Sequence, residues 1–209
     1  MSDRMKKRTK RLIQSISGGL IVCLLLGCCG AYGTCEGVRD RVLRLHVIAN
    51  SDSAEDQRVK LMVRDAILEA TGAYLGEADD EAEAAEIARQ MVPVMRKAAE
   101  ETLRREGSDH GVTVAVGEAY FPTREYESVT LPAGEYEAVR VIIGEGKGKN
   151  WWCVLFPPLC LGAAAKPRAN TDTVLTWGQR QWVKGQKLTV KFLVVEWVES
   201  LQKRLRRKG

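Results

Sequence analysis

Arg41-Val-Leu-Arg-Leu-His-Val-Ile-Ala49, followed by Asn50-Ser-Asp-Ser53, is the stretch on which the fold turns. Its residues alternate. Leu43, Leu45, Val47 and Ala49 make one uniformly apolar face, and Val42, Arg44, His46 and Ile48 make the other. A period of two marks a strand with at least one buried side. The polar run Asn50–Ser53 stops it. Ser53 with Asp56, or Asp52 with Glu55, has the spacing of a helix N-cap.

Downstream the period lengthens. Val59, Met62, Val63, Ala66, Ile67 and Ala70 recur at helical spacing, and Gly72 lies near the end of that helix. A second helical region spans about Asp79 to Arg105, with Ala85, Ala88, Met91, Val92, Met95 and Ala99 as its apolar stripe. Pro93 predicts a kink or a break within it. After Gly107 the period returns to two: Val112, Val114 and Val116 alternate with Thr113 and Ala115. Gly134-Glu-Tyr-Glu-Ala-Val-Arg-Val-Ile-Ile143 is another strand, and Trp152–Phe156 a further one. The order β-α-α-β-β-β predicts an α+β domain: a small, mainly antiparallel sheet, its last three strands forming a meander, with two helices on one face. Residues 161–187 read as irregular, and Val190–Leu205 as a C-terminal helix with a basic end.

The connection into the last strand is Gly144-Glu-Gly-Lys-Gly-Lys-Asn150, leading to Trp-Trp-Cys-Val-Leu-Phe-Pro-Pro-Leu-Cys160. It is not a nucleotide-binding P-loop. That motif needs four residues between its glycines and a Ser or Thr after the lysine. Here Gly144 and Gly148 enclose three, and Asn150 follows Lys149. A flexible turn between strands is the better reading. Trp151 and Trp152 fall on opposite faces of an extended segment, which predicts one in the core and one partly exposed.

The N-terminus has a different chemistry. Arg4, Lys6, Lys7, Arg8, Lys10 and Arg11 stand against Asp3, and no charge follows until Glu36. Within that gap Leu20-Ile-Val-Cys-Leu-Leu-Leu26 is densely apolar. A basic end before an apolar core is an export signal, or a retained signal-anchor helix crossing the membrane. The chain therefore divides into a signal or anchor (1–36), an α+β domain (37–160), and an irregular segment with a basic helix (161–209). The formal net charge of +5 arises at the two ends, in residues 1–11 and in the tail Lys203–Lys208, and residues 37–202 are net acidic. Neither basic end has the interleaved aromatics of a nucleic-acid groove, so no nucleic-acid partner is expected.

Six cysteines are present, but Cys23, Cys28, Cys29 and Cys35 lie in or beside the signal. Cys153 and Cys160 remain. An exported pair at this spacing, flanking Pro157-Pro158, predicts a disulfide; a pair of buried free thiols is the alternative. Two thiols with no nearby histidine do not complete a zinc shell, so no metal or cofactor is expected. The two histidines, His46 and His110, offer little for catalysis. His46, Ser51 and Asp52 crowd one strand-to-helix junction, and there is no Gly-x-Ser-x-Gly elbow. No catalytic residues are assigned, and the domain is read as non-enzymatic.

Leu45-His-Val-Ile-Ala-Asn-Ser-Asp-Ser53, Asp56-Gln57, Lys60-Leu61 and Val63-Arg64-Asp65 resemble the N-terminal signature of the stage II sporulation protein R family. Phe121-Pro-Thr123, Leu131-Pro-Ala-Gly-Glu-Tyr-Glu-Ala138 and Gly144–Cys160 resemble its second signature. The resemblance implies a protein made in the forespore and exported into the space between the two septal membranes. There it would trigger a membrane-embedded aspartic protease of the mother cell, which matures an early sporulation sigma factor. The rival function is an exported hydrolase of septal peptidoglycan or peptide. On the first reading the expected partner-binding residues are Asn50, Ser51 and Asp52 at one strand end, and Lys147, Lys149, Trp151 and Trp152 in the glycine-rich stretch. One tryptophan serves as an exposed anchor, unless both indoles belong to the core.

Overall fold

The computed structural model describes residues 14–19, 22, 33–126, 129–157 and 175–183. Among these residues the domain contains β1 (Leu43–Ile48), α1 (Ala54–Leu75), α2 (Glu81–Gln90), α3 (Val92–Arg105), β2 (Val112–Phe121), β3 (Arg124–Glu125), β4 (Thr130–Leu131), β5 (Gly134–Ile143), β6 (Asn150–Phe156) and α4 (Trp177–Val183). The α+β class and the mainly antiparallel sheet are as predicted. The meander is not. The four-stranded sheet runs β2-β5-β1-β6, so the first strand is inserted between the last two. β1 pairs parallel with β5 and antiparallel with β6, and β2 pairs antiparallel with β5.

The period of two places side chains on both faces. Leu43, Leu45 and Val47 share one face with Val139, Val141, Ile143, Cys153 and Leu155, and with the apolar stripes of α1, α2 and α3 they form the main core. The predicted second helix is two helices meeting at Met91. Pro93 lies in the first turn of α3, where its missing N–H has no intrahelical acceptor to lose. Three helices, not two, thus cover this face. α1 starts where the N-cap pattern placed it, with the Ser53 side chain accepting from Asp56 N, but it continues past Gly72 to a cap at Gly76.

The opposite face is also covered. Val38, Val42, Phe121, Val129, Leu131, Tyr136, Ala138, Val154, Leu175 and Val183 make a second core there. It is built by helical residues 33–39, the β3–β4 hairpin and α4. α4 corrects the reading of 161–187 as irregular. Among the described residues no helix is long and apolar enough to cross a membrane. The signal's apolar stretch Leu20–Leu26 falls, save Val22, outside the described residues, as does the predicted helix Val190–Leu205.

Candidate functional site

With β1 between them, β5 and β6 cannot be joined by a tight hairpin. The connection 144–149 must arch over the C-terminal end of β1, and this explains its composition. Asn50 Oδ1 accepts from Glu145 N at 3.1 Å. Lys147 N donates to Asn50 O at 3.1 Å, and Gly148 N to Ala49 O at 2.9 Å. Lys149 N donates to Asp52 Oδ1 at 2.7 Å. Two of the glycines take the left-handed conformation, Gly144 at φ 56 and Gly146 at φ 62. Gly148 is required for a different reason: a Cβ there would lie 2.2 Å from Ser51 O.

The start of α1 holds the arch from below. Asp56 accepts from Asn50 Nδ2 at 3.0 Å and from Ser51 Oγ at 2.5 Å. Those two bonds, Ser51 first, hold the Asp56 carboxyl below its usual range. Gln57 Nε2 donates to Ser51 O at 2.8 Å. Lys60 is buried, and its Nζ donates to Gln57 Oε1 at 2.6 Å and to Lys149 O at 3.0 Å. Burial, then the nearby Arg64 charge, lowers its pKa. The two stretches expected to carry function are therefore brought together into one clasp. Asn50 and Ser51 are half-buried within it, while Asp52, Lys147 and Lys149 are exposed on its outer side.

Trp151 and Trp152 do lie on opposite faces, yet both are half-buried rather than one core and one exposed. Trp151 packs on the helix side beneath Arg64, whose guanidinium carbon is 4.3 Å from the ring centre. Trp152 stacks on His46 at 3.9 Å and meets Phe121 edge-on at 4.8 Å. His46 Nε2 is 2.7 Å from Asn150 Oδ1. Burial lowers the pKa of His46, the Asn150 bond opposes this, and the Arg140 charge adds to it. Thus His46 is bonded to Asn150 and Ser51 to Asp56, and no Ser–His–Asp relay forms among His46, Ser51 and Asp52.

Sequence reasoning missed Arg44. It is fully buried on the second face, with Nε donating to Cys153 O at 3.0 Å and Nη2 to the Tyr126 hydroxyl at 2.7 Å. Its guanidinium carbon lies 4.3 Å from the Phe121 ring centre and 4.8 Å from that of Tyr136. Phe121, Tyr136 and Arg44 share one face of β2, β5 and β1, offset from one another in register, a parity visible in the sequence once the strand order is known. Cys153 is disulfide-bonded. Cys160, its predicted partner, lies outside the described residues.

Fold and clasp define a two-faced α+β domain whose sheet end is a ridge of two loops bonded into one surface. The chain belongs to the stage II sporulation protein R family. The family's profile matches residues 39–166. The chain is 35% identical over 185 residues to stage II sporulation protein R of Bacillus subtilis (strain 168), covering 78% of this chain and 83% of that protein. It is thereby a protein of sporulation. No solved structure matches it. Asn50, Ser51, Asp56, Gln57, Lys60 and Gly144–Lys149, which carry the resemblance to the family's signatures, are the residues that build the clasp.

Proposed function

We propose that this protein is an exported activator without catalysis. On this reading it crosses the forespore membrane into the septal space and engages a membrane-embedded aspartic protease, which then matures an early mother-cell sigma factor. The clasp carries the reading. It offers a fixed outer surface, with Lys147, Lys149 and Asp52 exposed beside Trp151 and Trp152, and loops fixed on a rigid scaffold are common places for recognition. Family membership supports the sporulation setting, and the basic, then apolar, N-terminus supports export.

Co-expression of the chain with the protease and the sigma precursor tests it, the readout being the shortened sigma factor. Lys147→Ala/Lys149→Ala should leave the melting temperature within about 2 °C of the parent, because both side chains are exposed, and reduce processing severalfold. Unchanged processing by a folded double variant removes the clasp from the interface. Hydrolysis of peptidoglycan or peptide by the purified chain, abolished by His46→Ala or Ser51→Ala, establishes the hydrolase instead.

A further inference from the structure

We propose that the chain associates with a second copy of itself through β2, the two strands pairing antiparallel about a two-fold axis. Among the described residues β2 is an edge strand, paired along its length with β5. In an antiparallel pair every second residue turns its N–H and C=O away from its neighbour. Among the described residues nothing receives these outward groups between Val112 and Ala119. At the opposite end of the sheet, side chains occupy backbone carbonyls in and beside β6: Lys60 reaches Lys149 O, Tyr126 reaches Trp152 O at 3.5 Å, and Arg44 reaches Cys153 O. Exposed edges are ordinarily blunted by Lys, Pro or a bulge. From Val112 to Ala119 there is no Lys, Arg or Pro, the register does not shift, and Glu118 is the one charged residue.

Backbone groups spaced as in a strand are matched by another strand. A second β2 has the same length and the same open edge, so one isologous contact closes both. A register centred on Val114 places Val112 opposite Val116 of the second copy and Thr113 opposite its Ala115. Val112 and Val116 are partly buried against the main core, and pairing would extend that apolar stripe across the axis. Thr113 and Ala115 are exposed and small enough to admit a neighbouring strand. The same register sets Glu118 opposite His110 of the second copy. Both are exposed, and the His110 ring reaches Asp56 at 3.5 Å within its own chain.

The test uses the purified full chain in mild detergent, by sedimentation and by amide hydrogen exchange at low and high protein concentration. The expected result is a dimer in which alternate amides between Val112 and Ala119 exchange more slowly at high concentration. Thr113→Lys/Ala115→Lys sets like charges against each other across the axis. It should weaken the dimer on the order of tenfold while the melting temperature stays near that of the parent. A chain that stays monomeric at the highest soluble concentration overturns the proposal. So does a dimer whose β2 amides exchange equally fast at both concentrations, or protection of β2 that appears only when a different protein is added.

Discussion

The surroundings of His46 favour its neutral form. Its folded pKa is depressed below the ordinary value of 6.5, first by burial. The unfolded chain therefore binds this proton more readily than the folded one. The stability the group contributes is fully present above pH 6.5 and is lost as pH falls through 6.5 toward the folded value. Chemical denaturation at pH 8 and pH 5.5 should show the decline, and His46→Gln should flatten it. An equal slope in the variant would assign the decline to other groups. Gly148 makes the second residue-scale prediction. Gly148→Ala drives a Cβ into the Ser51 carbonyl and should cost about 1–3 kcal/mol. Gly111→Ala, with nothing within 4 Å of the added carbon, should cost less than about 1 kcal/mol. Equal melting points for the two would mean that the arch is not held as described.

Among the elements, the break at Met91 is the informative one. Pro93 invites the reading that proline makes the break. Placed in the first turn of α3, it is only permitted there, and the bend is fixed by Ala88, Met91 and Met95 turning into the core. Pro93→Ala should change stability by less than about 1 kcal/mol and add no helical signal in circular dichroism, because the two helices stay separate. A gain in helicity with fusion through Met91 would return the cause to the proline. How far the elements could be read in advance follows from range. The alternation of Leu43–Ile48, the cap at Ser53 and the strand Gly134–Ile143 are written in neighbouring residues, and all three form as read. The order of the strands is not. Chain proximity favours pairing β5 with β6, but that leaves β1, with Leu43, Leu45 and Val47, an edge strand at best. Insertion of β1 gives its backbone a neighbour on each side. The candidate site was half legible for the same reason. Its two stretches stand out as polar and glycine-rich, while the bonds joining them depend on which strand the loop must cross. Arg44 was hidden because a charged residue on one face suggests solvent, and nothing local announces an aromatic cage.

At the scale of the whole molecule, the sheet depends on contacts far apart in sequence. The partners of β1 begin at Gly134 and Asn150. A chain ending at Gly146 should therefore lose cooperative unfolding, not merely some stability. It lacks β6, the closing bonds from Gly148 and Lys149, and half the lateral pairing of the central strand. Thermal unfolding followed by near-ultraviolet circular dichroism checks this, and a sharp transition in the truncated chain would refute it.

The insertion of β1 also sets a clock. A polypeptide is made from its N-terminus, so β1 is the first strand synthesised and must wait, unpaired at both edges, while the ribosome adds α1, α2, α3, β2 and the β3–β4 hairpin. The arch closes only when Lys149 has followed. The central strand cannot have both edges closed before that point.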